Sequence, residues 1–403
     1  MARVYPFRAL RPKPEFVAQV ASVPYDVVNP SEAKKLAGEN ALSFLHVTKP
    51  EIDLPESVDL YSDEVYSQGR QALDRFVADG VLAQDKAASF YLYRLKMGEH
   101  TQTGIVLGAS VADYNDNLVR KHEFTRPVKE DDRVKHMCAL EAQSGTVFLV
   151  HKPHHFLSEL VARISQASPV YSFSSEDSIE HTLWVIDDVQ DIENCQAAFV
   201  ELGPIYIADG HHRSAAASRY VEEKAQGQSG PWDMFLAVSF PTNEIKILSY
   251  NRVVKDLKGH SPEEFLNLLA ESFEISEGKV DLVRGHFNMY LQNKWYHLQI
   301  KSALLNTGDP VACLDVSLLQ EHCLAKILDI QDPRRDGRVD FVGGIRGDDE
   351  LEKRVAEGWS AAFSLYPTSI DDLLDIADAN QVMPPKSTWF EPKLRDGLII
   401  HKL

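Results

Sequence analysis

Apolar and polar positions along this chain follow two rhythms. In "SVDLYSDEVYSQGRQALDRFVADG" the apolar residues recur at three and four, which predicts an amphipathic helix stopped at Gly80. "SFYLYRLKM" and "QTGIVLGASVADY" are aromatic and β-branched runs joined across "GEH", the pattern of an antiparallel hairpin. "RPVKEDDRVKHMCALEAQ" carries proline in its first turn and predicts a helix, followed by a strand at "TVFLVHK". From about residue 165, strands at "HTLWVID", "PIYIAD", "MFLAVSF" and "EIKILSYNRVV" are interleaved with helices at "DIENCQAAFVEL" and "SAAASRYVEEKA". From about residue 258 come a helix at "SPEEFLNLLAESF" and two further strands. This order predicts an α+β fold with α/β-like layers, mixed sheets flanked by helices. Three regions are expected: 1–164, 165–257 and 258–403.

Composition narrows the partners. The formal net charge of −18 repels phosphate backbones, so no nucleic-acid partner is expected. The longest apolar runs, such as "TVFLV", are too short to span a bilayer, and no membrane partner is expected. Cys138, Cys195, Cys313 and Cys323 form no CxxC pair, which gives neither a disulfide framework nor a zinc knuckle. "MARVYPFRALRPKPEF" lacks an apolar signal core, and a cytoplasmic protein is the expectation.

Chemistry concentrates between "PIYIA" and "SAAASRYVEEKA", where Asp209, Gly210, His211, His212 and Arg213 form a turn and the first helical positions. Open amides and the positive dipole end of a helix attract anions. Gly210 permits a tight turn, Arg213 supplies a planar charged fork, and the histidines donate hydrogen bonds or exchange protons near neutral pH. With Ser214 beside them they make a phosphate cradle, and Asp209 can hold Mg²⁺ or orient a histidine. Capping accounts for Asp209 and Gly210, but not for the cluster that follows. Adjacent histidines point apart and have no third ligand at a suitable spacing, so zinc is the weaker reading.

A second cluster, "KHEFTRPVKEDDR" (121–133), gathers His122, Glu123, Arg126, Lys129, Glu130 and Arg133 around a strand-to-helix junction. On a helix from Pro127, Lys129 and Arg133 share a face, and Glu130 lies three residues from Arg133. Arg126, Lys129 and Arg133 suit phosphates or a substrate carboxylate, and Glu123 or Glu130 suits a proton acceptor. A solvated charged face is the plain alternative. Tyr25 and Asp26 in a proline-led turn, Arg346 in "FVGGIRGDDE" and Lys386 in "MPPKSTWFEPK" are further substrate-binding candidates. For the last stretch, a clamp with Trp389 and Phe390 packed on the core serves equally well.

"IADGHHRSAAA" resembles the phosphate-binding box of the ParB and sulfiredoxin fold, and its Asp-Gly-His-His-Arg form is closest to the free serine kinases of that fold. End to end, with "SVPYDVV", "KHEFTRPVKEDDR", "DGHHR", "DFVGGIRG" and "MPPKSTWFEPKLRDGL", the chain resembles the family called domain of unknown function 1015. The kinase resemblance implies a central ParB/sulfiredoxin-like unit and transfer of a phosphoryl group from ATP or ADP, with Mg²⁺, to a small hydroxylated metabolite, free L-serine first. His211 stands at the sulfiredoxin cysteine position, which argues against sulfinic-acid reduction. The kinases carry a catalytic glutamate before the helix leading to the box, where this chain offers Asp187 or Asp188. A ParB-like regulatory nucleotide binder, or a phosphatase or phosphodiesterase using the same cradle, is the alternative implied by these parts.

Overall fold

Aromatic and β-branched runs in the first 245 residues assemble into a mixed nine-stranded sheet. The computed structural model describes residues 1–224, 227–305 and 308–403, so the expected helix end at Ala225 lies outside the described residues. The strands are β1 (Val4–Tyr5), β2 (Phe90–Met97), β3 (His100–Ser110), β4 (Val119–Arg120), β5 (Val147–His151), β6 (Tyr171–Ser174), β7 (Glu180–Ile186), β8 (Ile205–Asp209) and β9 (Met234–Pro241). Their order is β4-β8-β5-β9-β3-β2-β7-β6, with β1 beside β3. β8 runs parallel to β4 and antiparallel to β5, and β9 runs parallel to β5. The hairpin expected across "GEH" is β2–β3, closed by the pair Met97 and His100. The sequence pattern extends the second strand through "VADY", but Ser110 accepts a hydrogen bond from Asp113 N and starts a short helix over Val111–Asn115.

The helices of this part are α1 (Asp63–Ala78), α2 (Pro127–Leu140), α3 (His155–Ile164), α4 (Val189–Leu202) and α5 (His211–Lys224). α1 stops where expected, and Gly80 takes φ +68° just beyond it. α5 packs on β5 and β9, and α2 packs on α5. Ala215, Ala216 and Ala217 are buried in the same apolar cluster as Val134 and Met137 of α2, Val147 of β5 and Phe235 of β9. Small side chains let a helix approach its neighbours closely. That closeness holds the start of α5 against the sheet.

The chain divides into two compact units, residues 1–245 with 392–403, and residues 246–391. This differs from the expected three regions. Strands from 1–164 (β2, β3, β5) and from 165–257 (β7, β8, β9) share one sheet, with β9 between β5 and β3. A boundary near residue 165 would leave those strand edges without backbone partners. The C-terminal segment returns to the first unit, where His401 pairs with Gln143 and Ile400 bridges to Leu10.

The second unit holds an antiparallel sheet of β10 (Tyr250–Val254), β11 (Phe273–Glu277), β12 (His286–Leu291), β13 (Lys294–Ile300), β14 (Val339–Gly343) and β15 (Ala361–Leu365). Their order is β11-β13-β12-β15-β10-β14. "EIKILSYNRVV" is two strands rather than one: Lys246–Leu248 pairs with Trp389–Glu391, and β10 joins the larger sheet.

Candidate functional site

β8 buries Ile205, Tyr206 and Ile207, and its register with β5 shifts between Ile207 and Asp209. A bulge of this kind re-aims the residues beyond it. Gly210 then takes φ +95°, and a Cβ there would lie 3.3 Å from Val147 Cα. Glycine is what this corner requires. α5 begins at once with His211, earlier than the Ala-rich run. Asp209 Oδ1 accepts from Gly210 N at 2.8 Å, while Arg213 N and Ser214 N both donate to Gly210 O. The amides of His211 and His212 have no acceptor among the described residues and lie at the positive end of the helix dipole.

Asp209 Oδ2 pairs with Lys393 Nζ at 3.3 Å. Burial works to raise the Asp209 carboxyl, but the charges of Lys393 and Arg213 outweigh it and hold the group well below the usual carboxylate range. Lys393 is 184 residues distant in the chain. The sequence reading valued its string "WFEPK" only for packing, so this partner was missed.

The two histidines act on the second cluster. His122 N donates to His211 Nε2 at 3.4 Å, and Arg126 N donates to His212 Nε2 at 3.1 Å. The loop 121–126 is thus fastened at two points to the first turn of α5. His211 is buried, its ring meets that of His122 edge-on at 4.5 Å, and burial, then the His122 ring, keep its pKa well below the usual value. This corrects the expectation of an exchanging acid–base group: His211 is a fixed neutral support. His212 is half-buried; burial first and the Arg126 charge second lower its pKa. An accepting Nε2 puts the proton of the neutral His212 ring on Nδ1, a donor. His122 is also buried, and burial pushes it down to about 4.

Ser214 is corrected likewise. It is fully buried, and its hydroxyl donates to His211 O at 3.1 Å instead of facing an anion. Arg126 stands exposed at the start of α2, next in the chain to the loop that bears Glu123. Lys129 Nζ donates to Tyr61 OH at 3.1 Å. Glu130 accepts from Thr125 Oγ1 and lies 3.7 Å from Arg219, so it closes the first turn of α2 rather than pairing with Arg133.

Arg213 turns away from the open amides. Its Nη1 donates to Thr146 O at 2.6 Å and its Nη2 to Asp26 Oδ2 at 3.0 Å. Arg133 pairs with Asp132 at 2.7 Å. The Tyr25 ring centre lies 3.9 Å from the Arg133 guanidinium carbon and 5.3 Å from that of Arg213. Tyr25 and Asp26 therefore meet the box through Arg213.

Other expected residues go elsewhere. Arg346 belongs to the second unit, 3.8 Å from Glu350, and the glycines before it are explained by packing. A Cβ at Gly343 would lie 2.7 Å from Trp389, and one at Gly344 would lie 2.8 Å from Ser249 O. Lys386, also in that unit, lies over the Tyr250 ring at 5.3 Å, while Phe390 is buried in the clamp. Asp188 caps α4 by accepting from Asp191 N.

The residues present do not fit a protein-held Mg²⁺. The Lys393 ammonium already neutralises Asp209 Oδ2, Asp26 is paired with Arg213, and no group of three or more His, Cys, Asp and Glu able to hold a metal occurs among the described residues.

A corner of helix amides, buried imidazoles and guanidiniums on an α+β scaffold has the chemistry to receive an anion. The chain belongs to the family described as "Protein of unknown function (DUF1015)", whose pattern matches residues 4–317. No curated protein sequence matches it. Among solved structures, it is similar to a free serine kinase in complex with AMP, at 12% identity and TM-score 0.35, covering 71% of this chain and 86% of that one. A conserved hypothetical protein from Pyrococcus furiosus matches at 12% identity and TM-score 0.36, with 73% and 93% covered. SbnI with a C-terminal truncation, from Staphylococcus aureus, matches at 10% identity and TM-score 0.41, with 73% and 86% covered. None of these likenesses assigns a ligand to this chain. No helix among the described residues is long and apolar enough to cross a membrane.

Proposed function

We propose that the protein is a phosphotransferase that moves a phosphoryl group from ATP or ADP to the hydroxyl of a small metabolite, free L-serine first among them. One observation carries this reading: the segment 121–126 is hydrogen-bonded through His122 and Arg126 onto the first turn of α5. Two clusters that are far apart in sequence thereby supply complementary parts. The amides of His211 and His212, the Nδ1–H of His212 and the Arg126 guanidinium receive the phosphate oxygens. Lys393, held by Asp209, adds a cation close to them. Asp209 and Gly210 are positioning residues that shape the turn.

Glu123 is the general base in this proposal, because its loop is fastened on both sides, at His122 and Arg126, onto the first turn of α5. Its carboxylate takes the acceptor's hydroxyl proton as the new oxygen–phosphorus bond forms. The bond from phosphorus to the nucleotide's bridging oxygen breaks, and that oxygen leaves with the nucleotide. Positioning and charge neutralisation do most of the work in such transfers.

The test is incubation of the purified protein with Mg²⁺, ATP or ADP and L-serine, with O-phosphoserine read by mass spectrometry. Glu123→Gln is expected to lower kcat by about 100- to 10,000-fold, the usual weight of a general base. The melting shift given by ADP should survive in that variant. Absence of a phosphorylated product across a panel of hydroxylated metabolites would overturn the proposal.

A further inference from the structure

A cavity of about 40 Å³ is lined in part by Tyr25, Arg133, Gln143, Gly145 and Arg213. One water centre needs roughly 10–15 Å³, so this space suits a group of a few heavy atoms and not a nucleotide.

Its polar lining is unbalanced. Gln143 is held in place, donating to Met234 O at 3.0 Å and accepting from Leu236 N at 2.6 Å. Arg213 spends both Nη atoms on Thr146 and Asp26, and its Nε is buried without an acceptor. That side chain is only 10% exposed. Arg133 spends Nε and Nη2 on Asp132, leaving Nη1 with no acceptor among the described residues. Burial pushes the Tyr25 phenol up to about 12, against the Arg133 charge, so its hydroxyl keeps its proton as a third donor. A buried guanidinium N–H without an acceptor, beside a second guanidinium, calls for a ligand that brings acceptor oxygens. Gly145 preserves the space, since a Cβ there would lie 3.2 Å from Arg213 Nε.

We infer that this cavity is the acceptor's subsite and takes the carboxylate of a hydroxy acid or hydroxy amino acid. The inference rests on the phosphotransferase reading and deepens it. The two oxygens of a carboxylate can accept from Arg213 Nε and Arg133 Nη1, one each, and the group is small enough for the space. Arg213 of the box then serves the acceptor, while the amides of His211 and His212 serve the phosphate.

Calorimetry on the full chain tests this with L-serine, acetate, ethanolamine, inorganic phosphate and ADP as separate probes. L-Serine and acetate are expected to bind, and ethanolamine, which lacks only the carboxylate of serine, to bind at least 100-fold more weakly. Gly145→Ala should weaken L-serine and acetate at least 10-fold and leave ADP affinity unchanged. Equal binding of ethanolamine and L-serine by the wild-type protein would overturn the subsite without recourse to any variant. Phosphate competing with acetate on equal terms, in a manner sensitive to Gly145→Ala, would overturn the carboxylate assignment. Phosphoryl transfer to ethanolamine as fast as to L-serine sinks the subsite and leaves the transferase standing. Carboxylate binding without any transfer supports the subsite as a ligand site and sinks the transferase.

Discussion

Asp396 is buried beside the box, with Oδ2 lacking a partner. Burial pushes its carboxyl up to about 7; the Arg213 and Arg133 charges oppose the rise and Asp26 adds to it. An acid raised in the folded state keeps a proton that the unfolded chain gives up near pH 4. Its stabilising contribution is therefore complete below about pH 4 and is lost as pH climbs to about 7. Asp396→Asn cannot ionise, so its stability relative to the wild-type protein should grow across that window and then level off. The expected gain is on the order of 4 kcal/mol at the plateau, read by urea unfolding at a series of pH values. His122, pushed down to about 4 by burial, contributes a slope of the opposite sign. The difference between variant and wild type isolates Asp396 from it. A flat difference across the window would show that Asp396 is already ionised at low pH.

The first turn of α5 and the loop 121–126 form a single device, and His212 is the hinge pin between them. His212→Ala removes the acceptor of Arg126 N at the cost of roughly one hydrogen bond, about 1 kcal/mol. Amide exchange across 121–126 should accelerate, while the strands β5 and β8 keep their protection, as read by hydrogen–deuterium exchange with mass spectrometry. Unchanged exchange in the loop would mean that other contacts hold it. Much of this device was legible in the sequence. "PIYIAD" before "GHHR" and proline before "VKEDDR" gave the strand, the glycine corner and both helix starts, because those signals are local. The bonds from His122 N to His211 and from Arg126 N to His212 were not legible, since they cross 89 and 86 residues. Nor was Lys393, which reaches Asp209 from the far end of the chain. Ser214 was misjudged because sequence spacing does not tell an inward hydroxyl from an outward one at the start of a helix.

At the scale of the whole chain, local patterns gave the elements but not their grouping, because a strand's partners are set by long-range pairing. The first unit is interrupted: it leaves at Ile245 and resumes at Pro392. Tyr25, the segment 121–133, the box at 209–213, Lys393 and Asp396 all belong to it. Lys246 and Glu391 are register partners in an antiparallel pair, so the two ends of the inserted stretch are about 5 Å apart at their Cα atoms. Replacing residues 246–391 with a short Gly-Ser linker should therefore close the first unit without stretching it. The trimmed chain is expected to keep its helix and strand content by circular dichroism and to melt cooperatively. It should also retain the upward melting shift with ADP, at a similar ligand concentration, because every residue assigned to the phosphate remains. A folded trimmed chain with no response to ADP would assign the second unit a part in holding the nucleotide, and the proposed site would have to be extended to include it.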